Sequence, residues 1–94
     1  MHFVFDIHKD QTNLVKHGLA LSLAVSMNWD TALIWQDQRK NYAEVRNCAL
    51  LTFDQRVYFV AFVDRGSERR IISLRKANLR EAKHYVSQTS THFP

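Results

Sequence analysis

The apolar positions near the N-terminus predict a short strand followed by two helices. Phe3-Val4-Phe5 has the length of a short strand, and Asp6 can cap a helix from Ile7 to His17 because its carboxylate accepts free amide hydrogens of the first turn. Gly18 supplies a left-handed stop after that helix. From Ala20 to Asn28 the spacing approximates a helix, which predicts a second one that buries Leu21, Ala24, Val25 and Met27.

The second half of the chain alternates apolar runs with short polar connections, which predicts an antiparallel meander. Gln36 to Ala43 is polar and is interpreted as a loop. The run from Val57 to Val63 is apolar at both parities, as expected for a central strand covered on two sides. The predicted strands are Ala32–Trp35, Val45–Phe53, Val57–Val63 and Arg69–Leu74.

A capping-box spacing marks the start of a C-terminal helix. Asn78 stands three residues before Glu81, and the following residues place Leu79, Ala82, Tyr85 and Val86 along one face. We interpret residues 1–86 as a single domain and residues 87–94 as a polar tail. The fold class is α+β, with an antiparallel sheet of about four strands, two N-terminal helices and one C-terminal helix.

Composition narrows the setting in which this chain works. Cys48 is the single cysteine, so an internal disulfide is excluded and a reducing, cytoplasmic location is expected. The sequence has no apolar stretch of membrane-spanning length and no signal-peptide pattern, so we expect no membrane association. The net charge is +4, and residues 38–94 hold eleven Lys and Arg against five Asp and Glu, which favours RNA, DNA or an acidic protein as partner.

The densest positive charge accompanies the last predicted strand. Six of the thirteen Lys and Arg residues lie between positions 69 and 83. This pattern suits a surface that binds phosphate, and it also suits a solvated edge strand protected by charged gatekeepers. The cations concerned are Arg69, Arg70, Arg75, Lys76, Arg80 and Lys83.

Arg70 and Arg75 are the first choices for phosphate binding because a planar guanidinium can hold two phosphate oxygens. Strand parity presents a difficulty, since Arg70 and Arg75 lie on opposite sides of an ideal strand. They can share one groove only if the strand twists, bulges or ends between them. Alternatively, Arg75 pairs with Glu81 at the helix start.

A series of landmarks runs along the chain from about Phe3 to Tyr85. They are Phe3 with Asp6, Lys9, Asn13, Lys16-His17-Gly18, Glu44 with Arg46, Arg70-Ile71-Ile72-Ser73, Arg75, Ala77, Glu81 and Tyr85. Their order resembles the RelE-like ribonuclease toxins and, more narrowly, the BrnT family of type II toxin-antitoxin systems. The resemblance implies an α+β RelE-like fold and a toxin that cuts RNA and inhibits translation.

The resemblance also implies partners. The expected partner is a BrnA-type antitoxin with a ribbon-helix-helix part, which neutralises the toxin in a hetero-oligomer. That complex is expected to repress its own operon, with the antitoxin making the contacts to operator DNA. The toxin's own basic face is then left for RNA.

Metal-independent RNA cleavage requires a base, an acid and cations that stabilise the crowded phosphorane. His17 is a candidate acid or base and Lys16 a phosphate contact, although both residues could simply cap the helix end. Glu44 and Arg46, two residues apart on the predicted strand, could form an acid-base pair or a plain salt bridge. The histidines show no ligand-type spacing, so we expect neither metal nor cofactor, and cleavage through a cyclic phosphate.

The remaining RNA-binding candidates support these groups. They are Arg69, Ser73, Lys76, Arg80, Lys83 and Tyr85, of which Ser73 could instead bond the backbone and Tyr85 could instead pack in the core. Two other hypotheses remain: an RNA- or DNA-binding module that uses the same basic strand without catalysis, and an inactive relative that binds only an antitoxin.

Overall fold

In the computed structural model, residues 1–39 and 43–89 are described, and they form five strands, two α-helices and one 3-10 helix. The strands are β1 (His2–Val4), β2 (Asn28–Gln36), β3 (Asn47–Phe53), β4 (Arg56–Arg65) and β5 (Glu68–Lys76). The helices are α1 (Ile7–His17), the 3-10 helix (Leu21–Ser26) and α2 (Leu79–Thr89). No helix among these residues is long and apolar enough to cross a membrane.

The strands form one mixed sheet in the order β1-β5-β4-β3-β2. The pairs from β5 to β2 are antiparallel, as expected, and β4 lies in the middle, as its apolar pattern predicted. β1 instead runs parallel to β5, with His2 opposite Glu68. The prediction of a purely antiparallel sheet of about four strands was therefore wrong at this edge, because β1 pairs with a strand distant in sequence.

Helix α1 has the bounds and both caps that the sequence predicted. The Asp6 carboxylate accepts hydrogen bonds from the amides of His8 (2.7 Å) and Lys9 (3.2 Å). Gly18 ends the helix at φ 70°, and its N–H donates to the Leu14 carbonyl at 2.8 Å. These caps satisfy backbone groups that would otherwise lack partners at the helix ends.

A buried amide, rather than an apolar stripe, fastens α1 to the sheet. Asn13 is 4 % exposed, whereas Leu14 and Val15 on the same helix are largely exposed. The Asn13 side chain donates to the Leu74 carbonyl (2.8 Å) and the Leu19 carbonyl (2.9 Å), and it accepts from the Leu74 amide (3.0 Å). It thus pairs the edge of β5 beyond the point where β1 ends, much as a neighbouring strand would.

The predicted second helix from Ala20 to Asn28 is a 3-10 helix of six residues, and Asn28 already belongs to β2. The buried side chains of this segment are Leu21 and Ala24 of the helix and Met27 at its C-cap, which recur every third residue. That period matches the three residues per turn of a 3-10 helix. Val25, which an α-helical stripe would have included, is 54 % exposed.

The core occupies both faces of the sheet. Alternate residues of β3 and β4 point to opposite sides, so these two strands contribute to both layers. The larger layer packs β3, β4 and β5 against the 3-10 helix, and the smaller layer packs Cys48, Leu50 and Phe59 against Tyr85 of α2. Burial raises the pKa of the Cys48 thiol, which fits a packing role.

Several predicted boundaries differ from the observed ones. β2 begins four residues before Ala32, and β3 begins at Asn47 instead of Val45. Helix α2 extends to Thr89, into the segment interpreted as a tail. Within the predicted loop from Gln36 to Ala43, residues 40–42 lie outside the described residues, as do residues 90–94 at the end of the chain.

Replacing Asn13 by alanine should destabilise the fold by about 2–4 kcal/mol, because the Leu74 amide and carbonyl would lose their buried partner. Urea unfolding of Asn13→Ala should show this, with Gln11→Ala, exposed on the same helix, as the control. Equal midpoints for the two variants would contradict the role assigned to this amide.

A substitution in the two-residue turn between β3 and β4 should increase the stability of the protein. Asp54 and Gln55 both have positive φ (50° and 63°), the conformation of a type I′ hairpin that favours glycine at the second position. Gln55→Gly should therefore stabilise the protein by about 0.5–1 kcal/mol in thermal unfolding. Gly66→Ala, at φ 57° with open space around its Cβ position, should shift the melting temperature in the opposite direction.

Candidate active site

A β-bulge in β5 resolves the parity difficulty. Along β4 and β5, Ser73 lies opposite Ala61, but the next pair joins Ile71 to Phe62, so Ile72 is the extra residue. Because of this insertion, three side chains of β5 share the face on which Val63, Ala61 and Phe59 alternate along β4. These three are Arg70, Ser73 and Arg75.

The first cavity, of about 540 Å³, lies between α1 and β5. It is lined by Lys16, His17, Ser73 and Arg75, four residues that the sequence predicted for the site. Its other lining residues are His8, Lys9, Thr12, Asn13 and Ile72. The structure therefore brings together a titratable imidazole, a hydroxyl and cations from two elements.

One face of α1 supplies most of this lining, and the sequence contained a signal for it. Neither Lys9 nor His8 belongs to the site predicted from the sequence, yet both line the cavity with Lys16 and His17. The pairs His8 and Lys9, Thr12 and Asn13, and Lys16 and His17 repeat at helical spacing, so they share one face. The buried Asn13 in the middle turns that face toward β5.

Arg75 is held in one orientation by its neighbours. Its Nη1 and Nη2 donate to the two carboxylate oxygens of Glu81 at 2.8 and 3.0 Å, and its guanidinium lies 4.1 Å from the Phe59 ring centroid. Glu81 also accepts from the Asn78 amide and donates its own amide to the Asn78 side chain, which confirms the capping box. The predicted alternative of an Arg75–Glu81 pair is thus present.

This pairing leaves a second binding edge on Arg75. Glu81 occupies the end of the guanidinium, and the side formed by Nε and the other Nη2 hydrogen can still bind two oxygens.

The hydrogen bonds from Arg75 lower the pKa of Glu81, so the Arg75–Glu81 ion pair is intact at neutral pH. Its contribution to stability is present above the carboxyl's unfolded pKa and is lost as the pH falls through the lowered one.

The second cavity, of about 230 Å³, adjoins the first and contains the rest of the predicted catalytic set. Glu44, Arg46 and Arg70 line it together with Ala43, Val63 and Arg65. Lys9 and Ile72 line both cavities. The six predicted catalytic residues are therefore divided between two adjoining cavities.

Glu44 is held by an arginine that the sequence did not single out. Arg65 donates to both Glu44 oxygens, with one bond of 2.6 Å, and this pairing lowers the pKa of Glu44. Because a general base works best with a pKa near the working pH, this pairing weakens Glu44 as the base. Glu44 and Arg46 both precede β3, so the shared strand assumed for them is not formed.

Five of the predicted RNA contacts line neither cavity. Arg69 lies on the opposite face, bonded to Asp64 at 2.8 and 3.0 Å and stacked on Trp29 and Phe62. Lys76 lies opposite Tyr58 in the register of β4 and β5, and the Tyr58 side chain belongs to that same opposite face, so the Lys76 side chain does too. Tyr85 is buried and its hydroxyl donates to Thr31, while Arg80 and Lys83 are exposed on α2.

Residues 5–81 match the protein family described as the ribonuclease toxin, BrnT, of type II toxin-antitoxin systems. The chain belongs to the BrnT family. The match starts just before the Asp6 cap and ends at Glu81, so it includes every residue that lines either cavity. A comparison with individually curated proteins gave no match.

Membership of this family makes the chain a ribonuclease toxin of a type II system, in which a protein antitoxin is the partner. The cavities of this BrnT member are built from cations and hydrogen-bonding groups. Among the described residues, no group of three or more His, Cys, Asp and Glu could hold a metal ion.

In this BrnT member, two substitutions should distinguish the role of Glu81 in capping α2 from its role in orienting Arg75. Glu81→Gln keeps an acceptor for the Asn78 amide but weakens the grip on Arg75, so RNA cleavage should fall about tenfold with little change in melting temperature. Asn78→Ala removes the cap, which should cost about 1 kcal/mol of stability while leaving cleavage unchanged. Cleavage that follows stability in both variants would contradict an orienting role for Glu81.

Proposed function

We propose that this chain cleaves RNA without a metal ion, through attack of a 2′-hydroxyl on the adjacent phosphorus. One oxygen–phosphorus bond forms, the bond to the 5′ oxygen breaks, and the products are a 2′,3′-cyclic phosphate and a free 5′-hydroxyl. The observation that carries this proposal is that His17, Lys16, Ser73 and Arg75 line one cavity.

His17 transfers the proton in this scheme. An imidazole has an ordinary pKa near neutrality, so it can take the 2′-hydroxyl proton or return one to the 5′ oxygen. His8 lines the same cavity but lies nine residues earlier, about 13.5 Å along the helix axis, so the two imidazoles cannot serve one phosphate together. His17 is the choice because it follows Lys16 at the end of the helix.

Arg75 and Lys16 stabilise the charge that develops on phosphorus. The Nε and Nη2 side of Arg75 presents two donors to two phosphate oxygens, and Glu81 with Phe59 holds that side in place before substrate binds. Lys16 adds a point charge, and the Ser73 hydroxyl a further hydrogen bond.

The biological consequence we propose is inhibition of translation. A BrnA-type antitoxin with a ribbon-helix-helix part neutralises the toxin in a hetero-oligomer, and that complex represses the operon through antitoxin contacts to operator DNA. The family described for residues 5–81 supports the toxin-antitoxin setting. Expression of the toxin alone should arrest growth, and co-expression of its antitoxin should relieve that arrest.

The central test is RNA cleavage by the purified chain in the presence of EDTA. His17→Ala should reduce the rate by at least about 100-fold, because it removes the acid-base group, and Arg75→Ala should reduce it similarly. His84→Ala, an exposed histidine on α2 outside both cavities, is the matched control and should keep the full rate.

Two results would contradict the proposal. Cleavage that EDTA abolishes and Mg²⁺ restores would refute the metal-independent mechanism. RNA binding without any product, equal in the wild type and His17→Ala, would instead identify a binding module.

A further inference from the structure

We infer that the second cavity binds a phosphate of the RNA chain other than the one that is cleaved. This inference rests on the proposed function, since it concerns the same substrate. It assigns Arg70 to holding the RNA backbone, and leaves the chemical step to the first cavity.

Arg70 has the environment of an anion ligand. It is half-buried, and its Nε is shielded from solvent without a hydrogen-bond partner among the described residues. Shielding strengthens the attraction between a cation and an anion, and a buried donor without a partner costs free energy. A phosphate oxyanion bound at the part of this half-buried guanidinium that solvent reaches would gain from the first effect.

The charges around Arg70 also favour an anion. Among its described lining residues, the second cavity has four cationic side chains, Lys9, Arg46, Arg65 and Arg70, against the single carboxylate of Glu44. That carboxylate is bound by Arg65 at both oxygens. Lys9 and Arg70 therefore still contribute positive charge to the cavity after the Glu44–Arg65 ion pair is formed.

The second cavity continues the first, so one extended ligand can occupy both. Lys9 and Ile72 belong to both linings. Lys9 and Lys16 lie seven residues apart on α1, about 10 Å along the helix axis. The result is a row of cations beside β5, from Arg70 and Lys9 at one end to Lys16 and Arg75 at the other.

A row of cations at intervals fits a linear polyanion such as single-stranded RNA. A mononucleotide would reach only one cavity. An acidic protein segment has similar charge. It is not a substrate for cleavage, however, so its binding would not require the second cavity to adjoin the cavity that contains the proposed acid-base group.

Binding of 2′-O-methyl RNA, which cannot be cleaved, separates this inference from catalysis. Arg70→Ala should weaken a hexanucleotide about tenfold and reduce the salt slope by about 0.7, while leaving a dinucleotide unchanged. Lys9→Ala, whose side chain is exposed, should also weaken the hexanucleotide and guards against misfolding of the Arg70 variant. Arg56→Ala removes an exposed cation at the β3–β4 turn and is the matched control.

Each other outcome contradicts the inference in a different way. Equal losses for dinucleotide and hexanucleotide in Arg70→Ala would place Arg70 at the reaction centre. No loss for either in both variants would remove the second cavity from RNA binding, and an equal loss for a polyglutamate peptide would assign it to acidic proteins. Length-dependent binding in a protein that never cleaves RNA would refute the proposed function and leave this inference standing.

Discussion

The hydrogen bonds between Asn13 and Leu74 determine where the N-terminal helix lies, and the site depends on that position. Most apolar side chains of α1 are exposed, so ordinary core packing does not dock the helix. A single buried amide bonds the edge of β5 on both its donor and its acceptor side. Since Lys16 and His17 follow one turn later, the same contact places them opposite Arg75.

The bulge at Ile72 is the second constraint, and it works together with the first. A regular strand would direct Arg70 away from Arg75, whereas the extra residue returns both to one face. The bulge lies two residues before Leu74. Up to Arg70 the edge of β5 is hydrogen-bonded to β1, whereas at Leu74 it is hydrogen-bonded to the Asn13 side chain. The local irregularity of β5 thus coincides with the place where helix, strand and cavities meet.

Features stabilised by local contacts could be predicted from the sequence, and features decided by distant pairing could not. Asp6, Gly18 and the Asn78–Glu81 box act within a few residues, and all three have their expected partners. β1 pairs with residues more than sixty positions away, and no local pattern distinguishes parallel from antiparallel pairing in a strand of three residues.

The 3-10 helix and the bulge were missed for a related reason. The buried residues of the 3-10 helix recur at three, a spacing that an α-helix with a narrow stripe also permits. For β5, a bulge depends on how β4 lies against it, so the sequence could show that a bend was needed but not where it would occur.

Three arginines on one strand have three different environments, and this difference separates positive charge from function. Arg69 is fully engaged on the opposite face by Asp64, Trp29 and Phe62, so its charge serves the fold. Arg75 is oriented by Glu81 with one edge left for a ligand, and Arg70 keeps a shielded Nε with no partner among the described residues. Counting cations along β5 therefore overestimates the surface that could bind an anion, because burial and pairing decide which guanidinium groups keep donors for a ligand.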